Sequence, residues 1–167
     1  MRYIYIHHIR EMKEEEIIEC VGVIRSAFKT VADEFGFTEE NAPRFTAFAT
    51  DENRIRYQFL NEKRPMFVYE DDGKIEGYYS LAVLNDKELE LNNLSVLPQM
   101  RHKGIGAGLL DHCISYARQY GYGKVKIGIV EENQVLRKWY ERAGFIHTDT
   151  VKYDFFPFTC GYMEREV

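Results

Sequence analysis

Apolar residues in the first third of the chain recur with the period of an amphipathic helix. Between residues 13 and 35 they are separated by alternating steps of four and three, which places them on one face of a helix. Gly36 is expected to end this helix. A second helix is predicted over residues 51–61 with Thr50 as its cap, and alternating polar and apolar residues predict a strand over residues 3–9.

The pattern changes at residue 66 to the short runs that are typical of strands. Three predicted strands, joined by polar turns into an antiparallel meander, cover residues 66–70, 74–84 and 88–97. Then follow a helix that ends at Gly121, a strand over 125–130, a helix over 134–142 and a strand that begins at Phe145. Another strand pair is predicted in the closing segment up to Val167. This order predicts one α/β (α+β) domain over residues 1–167, with a mixed, mostly antiparallel sheet flanked by helices.

The third strand of the meander contains a break in its alternation. Leu89 and Leu91 lie on one face of a regular strand, whereas Leu94 and Val96 fall on the opposite face. One extra residue restores the register, and a β-bulge supplies such a residue. We therefore predict a bulge at Asn92–Asn93. The alternative is an ordinary strand that is buried on both faces.

The composition is that of a folded protein with an acidic surface. Hydrophobic residues make up 45% of the chain, and 22 basic residues stand against 27 acidic ones, for a formal net charge of -5. This balance disfavours nucleic acid and anionic membrane surfaces as partners. The three cysteines form no C-x-x-C pair, so neither a disulfide framework nor a metal site is predicted. We expect a cytoplasmic protein.

A glycine-rich, basic loop lies between the meander and the next helix. Its sequence, R-H-K-G-I-G-A-G over residues 101–108, places flexible backbone and unpaired amides at a helix start, which suits a phosphate group. The loop lacks the Lys-Ser/Thr pair of a P-loop. Its glycines also miss the G-x-G-x-x-G spacing of a dinucleotide fold, although Glu131 offers a ribose partner. A turn that serves packing alone is the remaining alternative.

Two signatures in the chain resemble those of the GNAT superfamily of acyl-CoA-dependent N-acyltransferases. The first is V-x-P-x-x-R-x-x-G-x-G from Val96 to Gly106, and the second runs from Asn133 through Tyr140 to Phe145. By motif the resemblance covers residues 66–145. It implies a GNAT-like acyltransferase fold and acetyl-CoA as co-substrate, with no metal. It also implies direct transfer of an acetyl group to a primary amine within a ternary complex.

The resemblance further implies which residues contact coenzyme A. In that family the amides of the glycine-rich loop bind the pyrophosphate, the backbone after the bulge pairs with the pantetheine arm, and an asparagine contacts the cofactor. The matching positions in this chain are Leu94, Ser95, Val96, Arg101, His102, Lys103, Gly104, Ile105, Gly106, Ala107 and Asn133.

Acetylation of an amine needs a group that accepts a proton and a group that donates one. An ammonium has no lone pair with which to attack, so a base must first take its proton. The resemblance assigns this role to Glu90, with Glu88 or water alone as alternatives, and it assigns protonation of the departing thiolate to Tyr140. The alternative is that neither residue is catalytic. Glu90 is then a strand residue that faces solvent, and Tyr140 is an aromatic residue of the core.

The sequence does not identify the acceptor, and it leaves two other classes of function as alternatives. The acceptor is a small-molecule or peptide amine, and the aromatic residues between Tyr153 and Tyr162 favour core packing and a homodimer contact over a pocket. One alternative is a non-catalytic acyl-CoA-binding module, which keeps the loop without turnover. The other is a nucleotide-dependent oxidoreductase, which the glycine spacing disfavours.

Overall fold

A computed structural model describes residues 8–167, in which seven strands form one sheet. Along the sheet the strand order is β1-β2-β3-β4-β5-β7-β6. Within it β4 and β5 pair in parallel, whereas the other neighbouring strands are antiparallel. The strands are β1 Ile9–Glu11, β2 Met66–Asp71, β3 Lys74–Val83, β4 Glu88–Val96, β5 Lys124–Val130, β6 Ile146–Val151 and β7 Cys160–Glu166.

Helices cover both faces of the sheet, as the order of elements predicts. They are α1 Ile17–Phe35, α2 Thr46–Ala49, α3 Glu52–Leu60, α4 Ile105–Gln119 and α5 Gln134–Arg142. On one face, α1 and α3 bury Ile24 and Ile55 against strands β2 and β3. On the other face, α4 and α5 pack over a larger core that contains Leu109 and Tyr140. The predicted mixed sheet with flanking helices is confirmed.

The ends of the first helices differ in part from the predictions. Gly36 ends α1 in the left-handed conformation, with φ of 74°, as expected. The α-helix itself begins at Ile17, after a short 3-10 turn over Glu14–Glu16. Thr50 is not the cap of α3: the carboxylate of Asp51 accepts the amide of Arg54 at 2.8 Å, so the stronger acceptor caps the helix.

Two further predictions concern short segments. Residues 3–7 of the strand predicted over 3–9 lie outside the described residues, and Ile9 begins β1 instead of ending a strand. Helix α2 has four residues, which is too short to produce a helical period in the sequence.

Gly77 on β3 allows the start of α4 to approach the sheet closely. A Cβ atom on Gly77 would lie 2.8 Å from a side-chain carbon of Leu109, 3.2 Å from one of Ile105 and 3.3 Å from the backbone oxygen of Ser95. We expect Gly77→Ala to lower the free energy of unfolding by about 1–3 kcal/mol, because the buried side chains of Leu109 and Ile105 must move to admit the methyl group. Urea denaturation measures this change.

Gly22→Ala is the matched control for the Gly77 variant. Gly22 lies exposed within α1, and a Cβ atom there would have no neighbour within 4 Å. This variant is expected to raise the free energy of unfolding by about 0.5–1 kcal/mol, because alanine favours a helix more than glycine does. Equal stability of the two variants would contradict the close packing of α4 on Gly77.

Candidate functional site

Strand β4 carries the β-bulge that its sequence predicts. Tyr78 pairs with Ser95 and Ser80 pairs with Asn92, so β4 has one residue more than β3 in this interval. Asn93 adopts the left-handed conformation, with φ of 54°, and its carbonyl accepts the hydroxyl of Ser95 at 2.8 Å. The bulge predicted at Asn92–Asn93 is confirmed, with its distortion starting at Asn93.

The bulge keeps the apolar side chains of β4 on one face. Leu89 and Leu91 precede it and are buried in the core under α4. Leu94 and Val96 follow it and pack against the same core. Since side chains alternate along the regular part of the strand, the polar side chains of β4 point to the face that carries α1.

Strands β4 and β5 diverge just before the bulge. Their parallel ladder consists of Glu88–Glu90 against Lys124–Lys126. Beyond it β5 stays paired with β7 as far as Val130 opposite Cys160, while β4 stays paired with β3. The two strands are therefore not paired with each other after Glu90 and Lys126, and the space between them toward their carboxyl ends is here called the wedge.

The glycine-rich loop lies at the open end of the wedge. It enters α4 through His102 and Gly104, which both have positive φ, of 63° and 84°. The first hydrogen bond of α4 joins the amide of Gly108 to the carbonyl of Gly104, so the preceding amides have no acceptor within the helix. These amides belong to Ile105, Gly106 and Ala107. They lie at the N-terminus of the helix, which is where anions bind to helices.

The two basic side chains of the loop differ in their surroundings. Arg101 is half-buried, and its guanidinium donates to the carbonyl of Ala27 on α1 at 3.0 Å. Burial lowers the pKa of Arg101. The Arg101 side chain therefore fixes the loop to α1, whereas Lys103 is exposed to solvent.

Helix α5 meets the start of α4 at the same end of the wedge. Asn133 caps α5, since its side-chain oxygen accepts the amide of Leu136 at 3.2 Å. Trp139 lies 3.7 Å from the position that a Cβ atom on Gly106 would take, and Val96 lies at the same distance. The fold thus brings the end of β4, the loop and α5 together, although their residues are distant in sequence.

Tyr140 is buried between α5 and the sheet. Its ring packs edge-on against Trp139 and Phe145, with centroids 4.9 and 5.3 Å away. Burial raises the pKa of Tyr140, and the neighbouring Cys113 adds a smaller effect in the same direction. Among residues 8–167 the hydroxyl has no hydrogen-bond partner. It is therefore a protonated phenol at neutral pH, and its proton is not donated to any group of the described residues.

The two candidate bases on β4 have different partners. Glu88 forms an ion pair with Lys126 at 2.9 Å, and this contact, helped by the amide of Asn85, lowers the pKa of Glu88. Glu90 instead accepts the side-chain amide of Asn92 at 2.7 Å and belongs to the last residue pair before the wedge. A lowered pKa makes a weaker base, and the ion pair with Lys126 also engages the carboxylate of Glu88.

Three polar residues lie near Glu90 through contacts that the sequence does not predict. Arg64, before β2, donates to Asn92 at 3.2 Å. The pKa of Tyr162 on β7 is raised, mainly by burial. The negative charge of the nearby Glu90 contributes to the same shift. The hydroxyl of Tyr162 shares a hydrogen bond of 2.9 Å with that of Tyr153. Nothing in the local sequence marks these contacts, because each of them joins separate strands or loops.

The aromatic segment before β7 divides between core and surface. Phe158 is buried and packs against Phe37 and Phe45, with centroids 4.8 and 5.6 Å away. Phe155 is 41% exposed, and the guanidinium of Arg44 lies 4.3 Å from the centre of its ring. Core packing therefore explains part of this segment.

No helix within residues 8–167 is long and apolar enough to cross a membrane.

Sequence comparison relates the chain to known acetyltransferases. The sequence model described as "Acetyltransferase (GNAT) family" matches residues 24–145. An uncharacterized N-acetyltransferase of Mycobacterium tuberculosis (strain ATCC 25618 / H37Rv) is 29% identical over 108 residues, which are 62% of this chain and 69% of that protein. One of Archaeoglobus fulgidus is 22% identical over 138 residues, which are 79% of this chain and 88% of that protein.

Solved structures share the same architecture. The PaiA N-acetyltransferase from Thermoplasma acidophilum, in complex with coenzyme A, has a TM-score of 0.82 at 19% identity, covering 95% of this chain and 98% of that one. A GNAT family acetyltransferase from Elizabethkingia anophelis with acetyl-CoA bound has a TM-score of 0.61 at 20% identity, covering 71% and 84%. At these identities the likeness shows the fold.

Proposed function

Because the chain belongs to the GNAT family of acetyltransferases, we propose that it transfers an acetyl group from acetyl-CoA to a primary amine by direct attack in a ternary complex. The observation that carries this proposal is the wedge between β4 and β5, with the amides of α4 that have no acceptor within the helix at its open end. An extended chain that bears amide groups, such as pantetheine, can pair with the backbone that β5 leaves unpaired.

In this proposal the open end of the wedge holds coenzyme A. The loop from Arg101 to Ala107 binds the pyrophosphate, with the α4 amides as donors and Lys103 as the exposed positive charge. The backbone of Leu94, Ser95 and Val96 pairs with the pantetheine arm. The side-chain Nδ2 of Asn133 is a donor for the same arm, because Asn133 uses its Oδ1 to cap α5.

The proposed reaction needs three proton transfers, two from the nitrogen and one to the sulfur. The carboxylate of Glu90 takes a proton from the ammonium, and the neutral nitrogen then forms a bond to the thioester carbon. As the carbon–sulfur bond breaks, the nitrogen loses its second proton to water and the phenol of Tyr140 donates its proton to the leaving sulfur. The products are an N-acetylated amine and free coenzyme A, and proton exchange with water restores both side chains.

Ligand-dependent stability tests the cofactor assignment. Acetyl-CoA and coenzyme A at 100 times their dissociation constants should each raise the free energy of unfolding by about 2.7 kcal/mol. NADH and ATP carry phosphates without pantetheine, so we expect a smaller effect from both at equal concentration. Thermal denaturation with each ligand gives this comparison. Equal stabilisation by all four ligands, or by none, would contradict the proposal.

A turnover assay distinguishes an enzyme from a module that only binds acyl-CoA. Release of the coenzyme A thiol is followed with acetyl-CoA and three amines: benzylamine, lysine amide and an alanyl peptide amide. The proposal expects thiol release that depends on at least one amine. Tight binding of acetyl-CoA without any transfer would favour the binding module.

A further inference from the structure

We propose that Arg64 positions the carboxylate of Glu90 by acting through the side chain of Asn92. This inference rests on the proposed role of Glu90 as the base. Arg64 lies in the connection between α3 and β2, whereas Glu90 and Asn92 lie on β4. Neither Arg64 nor Asn92 belongs to the signatures that relate the chain to its family. In this proposal both are positioning residues, a role that the sequence pattern does not reveal.

Hydrogen bonds connect the three side chains in a row. Arg64 donates through Nη1 to Oδ1 of Asn92 at 3.2 Å, and Asn92 donates through Nδ2 to Oε1 of Glu90 at 2.7 Å. Asn92 and Glu90 are two residues apart on the regular part of β4, so both side chains emerge on the same face.

The chemistry of the three groups fixes the orientation of the amide. A guanidinium can only donate hydrogen bonds, so the oxygen of Asn92 must face Arg64. The amide nitrogen of Asn92 then faces Glu90, where it needs an acceptor, which an ionised carboxylate provides. Oε1 of Glu90 is thereby engaged. Oε2 has no hydrogen-bond partner among residues 8–167, so it is the oxygen that is available to take the proton of an amine.

Arg64 is itself held in place on its other side. Its Nε and Nη2 donate to one carboxylate oxygen of Glu62 at 3.2 and 3.0 Å. Its backbone amide donates to the carbonyl of Gln58 at the end of α3, at 3.1 Å. The side chain is 21% exposed. The orientation of the base thus depends on an arginine that is anchored to a different element of the fold.

A double-mutant cycle tests this inference. We expect Arg64→Met to lower kcat about tenfold to a hundredfold, since a misplaced catalytic group loses much of its effect. KM for acetyl-CoA should not change, because Arg64 lies outside the proposed cofactor site. In the Glu90→Gln background the same substitution should change kcat less than twofold, because the group that it positions is already inactive. The assay follows thiol release with the amines named above.

Arg56→Met is the matched control, because Arg56 also forms two carboxylate contacts but has none with β4. These contacts are with Glu14 at 3.0 Å and with Glu52 at 2.8 Å. This variant should keep the kcat of the unmodified protein. Arg64→Lys should recover part of the lost kcat, since lysine retains one donor for Asn92. Thermal denaturation of every variant shows whether the fold is retained.

Crystal structures of the unmodified and Arg64→Met proteins give a readout that needs no acceptor. The inference expects the contact of 2.7 Å between Asn92 and Glu90 to be lost in the variant. A retained contact would overturn it. A loss of kcat for Arg64→Met that is equally large in the Glu90→Gln background would also overturn it, while leaving the proposed function intact. If Glu90→Gln itself kept full activity, the proposed base would be wrong.

Discussion

Glu90→Gln is expected to lower kcat by about a hundredfold to ten-thousandfold at neutral pH, the usual contribution of a general base. The amide has nearly the same shape as the carboxylate and can still contact Asn92, but it cannot take a proton from the amine. Glu90 lies at the narrow start of the wedge, away from the loop that is proposed to hold the phosphates. The dissociation constant of coenzyme A should therefore stay unchanged, and calorimetry measures it beside the thiol-release assay.

Glu88→Gln is the matched control for this prediction. Glu88 is on the same strand, two residues earlier, and its carboxylate is paired with Lys126 at 2.9 Å. Its replacement should leave kcat within about twofold, because the proposed reaction does not use Glu88 and a partly exposed ion pair contributes little to the stability of the fold. A larger loss of kcat for Glu88→Gln than for Glu90→Gln would reverse the assignment of the base. Full activity of both variants would indicate that water alone accepts the proton.

Tyr140→Phe is expected to lower kcat by about a hundredfold, because the substitution removes the proton that the leaving sulfur needs. The ring contacts with Trp139 and Phe145 do not involve the hydroxyl, so the fold should be retained. Burial raises the pKa of Tyr140, so the phenol should stay protonated through the neutral range. Loss of activity at mildly alkaline pH in the unmodified protein should therefore not come from this residue.

Tyr120→Phe serves as the control for the Tyr140 variant. Tyr120 follows the last turn of α4, is 59% exposed and packs against the ring of Tyr116. Its loss of a hydroxyl should affect neither kcat nor the affinity for acetyl-CoA. If Tyr140→Phe kept full turnover together with normal affinity for acetyl-CoA, Tyr140 would have no part in the reaction.

Features of the site that depend on residues close together in the sequence could be predicted from the sequence. The break in alternation around Asn92 required one extra residue in β4, and the structure has that residue with Asn93 in the left-handed conformation. The glycine spacing likewise indicated a loop that leads into a helix, and Gly104 directly precedes α4 in the left-handed conformation. In both cases the backbone geometry follows from steric properties of residues within a few positions.

Contacts between distant parts of the chain could not be predicted in this way. Arg64 and Asn92 are 28 residues apart and meet only because β2, β3 and β4 are neighbours in the sheet. The same holds for Trp139 beside Gly106, which depends on how α5 packs against α4. The choice of Asp51 over Thr50 as a helix cap was also missed, because both residue types are common at this position.

The short ladder between β4 and β5 also limits how two substrates could approach the proposed reaction centre. The core under α4 contains Leu89 of β4 and Val125 of β5, so it closes that face of the sheet across the junction. On the opposite face, Phe28 of α1 packs against both the cluster around Ile24 and the cluster that contains Val130 at the end of β5. In the proposed function, acetyl-CoA and the amine must therefore enter from the open end of the wedge or past α1, and not through the face that α4 covers.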